Sequence, residues 1–106
     1  MIDWNDLAPA ELTLLETVFW ASGASRHELA ARAEFSKSKA NAAVAGLVER
    51  GLLEETGLRD STGGRRPEML RLARRVGVLV GIDLGATSLD VAVMAPDLTV
   101  LAHHGE

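Results

Sequence analysis

A chain of 106 residues, 47% hydrophobic and 25% charged, has the composition of an ordinary folded protein and the length of about one domain, which excludes wholesale disorder and two complete cores. With no cysteine it excludes disulfide frameworks, thiolate metal sites and cysteine nucleophiles together. The formal net charge of -4 hides a segregation: residues 1–34 and 76–106 each carry a net -4, whereas residues 35–75 carry nine Lys or Arg against five acids.

The start, Met1-Ile2-Asp3-Trp4-Asn5-Asp6, is acidic and has no basic stretch ahead of an apolar one, unlike a signal peptide. The longest apolar run, Val76 to Ile82, falls far short of the ~18 residues of a membrane span. A cytoplasmic protein without a membrane partner is expected.

Pro9 suits a first helical turn, and Leu12, Leu15 and Phe19 follow at helical spacing with Leu14 and Val18 alongside, which predicts a helix from Pro9 to Ala21. Trp4 and Trp20 flank it as packing residues. Gly23 ends that helix. Ser25-Arg26-His27-Glu28 reads as a capping box opening a short second helix, Arg26 to Ala33. Ser36 is the N-cap of a third helix that runs to Gly51, with Ala40, Val44, Leu47 and Val48 as its apolar stripe. Its opposite face carries Lys37, Ser38, Asn41 and Ala42, with Lys39 at the edge, and none of these needs burial.

Leu52 to Leu58 reads as a strand and Met69 to Leu72 as its partner, joined by the turn-rich Arg59-Asp60-Ser61-Thr62-Gly63-Gly64-Arg65-Arg66-Pro67. Arg74-Arg75 closes this unit. The composition then turns to Val, Leu, Ile, Gly and Ala. Gly77 to Leu84, Leu89 to Met94 and Leu98 to Ala102 are predicted as three antiparallel strands, with a turn at Ala95-Pro96-Asp97.

The helix pair around Ala33-Glu34-Phe35-Ser36 has the layout of a helix-turn-helix, whose second helix fits the ~12 Å major groove when its outer face is small and polar. Lys39 and Asn41 are placed to reach base edges. Ser36, Lys37 and the first-turn N–H groups are placed to bind phosphate, with Arg26 and Ser38 completing the set. Gly63-Gly64 permits a tight hairpin tip and Arg65-Arg66 places two guanidiniums beside it, as a phosphate ridge or minor groove would require. Taken singly, the helices also fit a plain three-helix bundle with a solvated basic face, and the loop an ordinary soluble hairpin.

These residues resemble the ROK family of repressors, open reading frames and kinases. The resemblance rests on Ser25-Arg26 with Glu28-Leu29-Ala30, Phe35-Ser36-Lys37, Leu47-Val48-Glu49-Arg50-Gly51-Leu52, Ser61-Thr62-Gly63-Gly64-Arg65-Arg66-Pro67 and Gly81-Ile82-Asp83-Leu84-Gly85-Ala86-Thr87. It implies a sugar-responsive transcription regulator, dimeric or tetrameric, that binds a double-stranded DNA operator. Three positions depart from the family pattern. Glu34 stands where the inter-helix turn usually has Gly, and a side chain in a left-handed backbone there costs roughly 1 kcal/mol. Ala42 replaces a commonly basic residue and Lys39 a common Thr, so operator preference does not transfer from relatives.

Asp83-Leu84-Gly85-Ala86-Thr87 resembles the first phosphate loop of the sugar kinase and actin fold, which implies nucleotide-phosphate contacts from Asp83, Gly85 and Thr87. The remaining kinase parts, and the family's zinc motif with its cysteines, would lie beyond Glu106. A vestigial loop, no enzyme activity and no cofactor are therefore expected, with a sugar ligand only where a complete ROK domain is present. His103 and His104 read as a solvated tail rather than a metal site.

The expected fold class is α+β: a winged helix-turn-helix over residues 1–75, then a short antiparallel β-meander over residues 76–106 from an incomplete sugar-kinase-like domain. The expected function is DNA-binding transcriptional regulation by a homodimer, a repressor of sugar-related genes. Two alternatives stand beside it. One is a kinase remnant binding nucleotide phosphate through Asp83, Gly85 and Thr87. The other is an interaction module dimerising through the strands of residues 77–102.

Overall fold

The structure, a computed structural model, describes residues 2–58 and 68–106. Local signals set the helix boundaries. Asp3 accepts the Asn5 N–H at 2.9 Å and caps a 3-10 turn, Trp4–Asp6, that leads into helix α1, Pro9–Ala21. The Glu11 carboxylate reaches back to accept the Ala8 N–H at 2.9 Å, a donor left free at the helix start. After Ser22 and Gly23 come a two-residue strand, β1 (Ala24–Ser25), and helix α2 (Arg26–Ala33). The Ser25 hydroxyl oxygen accepts the Glu28 N–H at 3.2 Å and also lies 3.2 Å from the Glu28 carboxylate. Helix α3, Lys37–Glu49, is capped by Ser36, whose Oγ accepts the Lys39 N–H at 3.1 Å.

Strands β2 (Leu53–Leu58) and β3 (Glu68–Leu72) pair antiparallel, with Leu53 opposite Leu72 and Glu55 opposite Leu70; the register shifts between Glu55 and Leu58. Strand β1 adds to the other edge of β3, giving the order β1-β3-β2. Leu14, Leu15 and Val18 of α1, Leu29 of α2, Val44 and Leu47 of α3, and Leu52, Leu53 and Leu70 of the hairpin form one buried core.

Two helix faces differ from the apolar spacing. Leu12 is 43% exposed, because it lies about 200° around α1 from Leu14, which faces the core. Val48 is exposed and Ala43 is buried in its place, since α3 packs through Ala40, Ala43, Val44 and Leu47. Trp20, expected to pack, is 73% exposed and meets only the neighbouring Phe19 ring edge-on at 5.1 Å among aromatic contacts of the described residues. Gly46 of α3 admits α1 closely: a Cβ there would stand 2.5 Å from Glu11 Oε2.

A 3-10 turn, Arg74–Val76, connects to a second antiparallel sheet, ordered β4 (Leu79–Leu84), β5 (Leu89–Met94) and β6 (Val100–Gly105). The third of these strands begins at Val100 rather than Leu98, because Leu98 adopts a φ of 70° inside the turn that Ala95 N–H closes onto Thr99 O at 2.9 Å. His103 and His104 consequently belong to β6 and not to a tail. His103 Nε2 lies 3.1 Å from the Asp90 carboxylate and His104 Nε2 3.2 Å from that of Glu106. Val80, Ile82 and Leu84 are exposed along β4, Leu84 to 76%. No described helix is long and apolar enough to cross a membrane.

Candidate nucleic-acid interface

Two turns of opposite need are joined at residues 33–36. Glu34 takes a left-handed conformation, φ 57° and ψ 40°, that stops α2 and lets Phe35 N–H donate to Ala30 O at 2.9 Å. Phe35 then packs against the core, and Ser36 restarts the chain as α3. With Ala40, Ala43, Val44 and Leu47 turned inward, the 3.6-residue period leaves Lys37, Ser38, Asn41, Ala42 and Ala45 on the solvent side, and all five are exposed. Lys39 is also exposed, its Nζ 4.3 Å over the Phe35 ring centroid.

Between the starts of α2 and α3 lies a recess of about 390 Å³ lined by Arg26, His27, Ala30, Lys37, Ala40 and Asn41. It brings together three of the residues singled out in the sequence, Arg26, Lys37 and Asn41. It adds His27, which sequence reasoning passed over, although its place beside Arg26 in the first turn of α2 was visible. The acceptor side of the Ser36 hydroxyl is used by its cap, which leaves the O–H as a donor.

The cations of this face differ in how they are held. Among the described residues no carboxylate pairs with Lys37 or Lys39. Arg26 is held by two: its Nη2 lies 2.9 Å from Glu55 Oε1 on β2, and its Nη1 lies 3.6 Å from Glu68 Oε2 on β3. The Arg26 hydrogen bond keeps the Glu55 carboxyl below its ordinary value. Gly63, Gly64, Arg65 and Arg66 lie outside the described residues, between Leu58 of β2 and Glu68 of β3.

The second motif sits on the other sheet. Asp83 is opposite Asp90 near the end of β4, and the Gly85 N–H donates to Ser88 O at 2.9 Å, closing a tight reversal into β5 that carries Thr87. The Gly85 amide is thus used inside its own turn. No group of three His, Cys, Asp or Glu placed to hold a metal ion occurs among the described residues.

No protein-family model matches the chain. It is 29% identical over 83 residues to a putative xylose repressor of Caldicellulosiruptor sp. (strain Rt8B.4), covering 78% of this chain and 21% of that protein. It is 36% identical over 72 residues to the xylose repressor of Bacillus subtilis (strain 168), covering 68% and 19%. The chain therefore spans about a fifth of the length of these curated relatives. Its fold matches that of a ROK family transcriptional regulator, homolog of the E. coli MLC protein, with a TM-score of 0.54 over 90% of this chain and 26% of that one, at 18% identity. It also matches NMB1585, a MarR family regulator from Neisseria meningitidis, with a TM-score of 0.52 over 67% and 48%, again at 18% identity. In sequence the chain aligns with xylose repressors, and in fold it matches a ROK family transcriptional regulator.

Proposed function

We propose that residues 1–75 form a winged helix-turn-helix that reads double-stranded DNA for a cytoplasmic transcription regulator, a repressor of sugar-related genes, and that residues 76–106 are the opening strands of a sugar-kinase-like domain. The observation that carries this reading is the outer face of α3, where Lys37, Ser38, Lys39 and Asn41 are exposed side by side and neither lysine is neutralised by a carboxylate of the described residues. A helix presenting small and polar side chains fits a major groove, and the N–H groups of its first turn attract phosphate. In this arrangement Lys39 and Asn41 read base edges, while Ser36, Lys37 and Ser38 meet phosphates at the groove lip. The hairpin tip with Gly63, Gly64, Arg65 and Arg66 lies on the flanking backbone. A homodimer would set two such helices on half-sites one helical turn apart, on the order of 34 Å. The names of the relatives, xylose repressors, support a pentose or similar sugar as the inducer.

Gel shifts with duplexes from the chain's own upstream region and with random DNA, each at two salt concentrations, test the reading. Each phosphate contact contributes roughly -0.9 to the slope of log K against log salt, so changing both Arg65 and Arg66 to Ala should flatten the slope by about 1.8 and weaken all duplexes alike. An unchanged slope removes the hairpin tip from the interface. Failure of the parent chain to bind any duplex overturns the whole reading.

The exposure of Val80, Ile82 and Leu84 on β4 favours one additional role, in which the second sheet pairs with another copy of the chain. Mass in solution after deletion of residues 77–106 checks this, since a dimer that survives the deletion is made elsewhere. The turn at Gly85 favours no phosphoryl-transfer role, because its amide already donates to Ser88 O.

A further inference from the structure

Arg26 stands at the first position of α2, directly after β1, and reaches across the sheet to both strands of the hairpin. Its Nη2 is 2.9 Å from Glu55 and its Nη1 is 3.6 Å from Glu68. Glu55 is the last regularly paired residue of β2 before the register shifts, and Glu68 is the first residue of β3 after the tip. The guanidinium therefore crosses the hairpin where its ladder is irregular. A planar guanidinium can serve two carboxylates at once in a fixed geometry, which an ammonium cannot.

Charge sharpens the point. Left alone, Glu55 and Glu68 would put two negative charges on the side of the molecule that approaches phosphates, and like charges there repel the duplex. With Arg26 between them the three groups sum to a single negative charge. A guanidinium whose charge is already shared by two carboxylates attracts a phosphate less than a free one does.

We propose that Arg26 is a positioning residue of the DNA interface and not a phosphate ligand: it ties the start of α2 to both hairpin strands and masks Glu55 and Glu68 from the DNA backbone. This rests on the DNA-binding reading given above and deepens it. It separates Arg26 from Lys37 and Asn41, with which it shares a recess.

The test uses three variants of the full chain: Arg26→Gln, the pair Glu55→Gln with Glu68→Gln, and all three together. Arg26→Gln should weaken duplex binding about tenfold, most at low salt, where the unmasked Glu55 and Glu68 are least screened from the phosphates. The triple variant, whose amides carry no charge to mask, should recover most of that loss. No recovery in the triple variant would show that a phosphate contact was lost with Arg26 and overturn the proposal. Hydrogen exchange of the β2 and β3 amides without DNA supplies an arm independent of binding. Faster exchange in Arg26→Gln is expected, and unchanged exchange sinks the clamp even if DNA binds. If the parent chain binds no duplex, the DNA reading fails while the exchange measurement still decides whether Arg26 holds the hairpin.

Discussion

The Lys39 ammonium lies 4.3 Å over the centroid of the Phe35 ring, and Phe35 is itself packed against the core. An exposed cation over a ring face gains roughly 0.5–1 kcal/mol, enough to bias a flexible side chain toward one position. Lys39, proposed to read base edges, is thereby tethered to the turn that precedes its helix. Lys39→Ala and Asn41→Ala should each change which duplexes are chosen from a randomised pool while leaving affinity for random DNA nearly unaltered. Phe35→Leu keeps an apolar anchor but removes the ring face, so it should blur the preference without changing the salt slope. An equal loss on every duplex for Lys39→Ala would mean that this lysine meets phosphate instead.

Glu34 holds a φ of 57° between α2 and α3, a conformation in which a Cβ crowds the following carbonyl. Glycine relieves that contact, at the cost of more chain freedom in the unfolded state. Glu34→Gly should therefore stabilise the fold by roughly 0.5–1 kcal/mol, seen as a higher urea midpoint at constant m-value. A lower midpoint would mean that the Glu34 side chain contributes more than its backbone strain costs.

These cases show what was legible in the residues. The helix ends were, because Ser25 and Ser36 accept N–H groups within one turn of themselves, Pro9 has no N–H to leave unpaired at a helix start, and Gly51 at a φ of 75° ends α3 by the same local logic. The outer face of α3 was legible for a similar reason, since small and polar residues at helical spacing leave that side unpacked. Strand β1 was not, as two residues hold no alternation and Ala24 and Ser25 become a strand only when Leu70 and Met69 arrive beside them. Leu98 was not, because its apolar side chain suggests a strand while the turn geometry imposes a positive φ. The Arg26 clamp was hidden too: Glu55 lies 29 residues away and only the sheet register brings it within 2.9 Å.

Glu11 combines three roles that make it costly to replace. It is 9% exposed, accepts the Ala8 N–H at 2.9 Å and lies 3.5 Å from Arg50 Nε. Glu11→Ala should destabilise the fold by about 1–2 kcal/mol, since it strips the cap from α1 and leaves Arg50 without that partner. Gly46→Ala should displace the same carboxylate, whose Oε2 is 2.5 Å from the new Cβ position. The two changes made together should cost less than the sum of each alone, because the clash needs the carboxylate. Strict additivity in urea denaturation would mean that Gly46 is kept for another reason.

The Glu55 carboxyl titrates below its ordinary 4.5, chiefly through its hydrogen bond with Arg26. Lowering a carboxyl's folded-state pKa means that its ionised form favours the native state. The contribution is therefore complete above the unfolded value and disappears as pH falls through the folded one. Thermal stability should thus decline on acidification below 4.5, and Glu55→Gln should make that decline shallower. Asp97, in the turn between β5 and β6, is lowered from 3.8 mainly by the Thr99 side chain and contributes in the same sense. Glu55→Gln should leave the Asp97 contribution in place, and Asp97→Asn should remove it without touching that of Glu55. A melting profile against pH that is identical in Glu55→Gln and the parent chain would mean that the Arg26 contact adds nothing to the folded state, and that the hairpin is held by its backbone pairing alone.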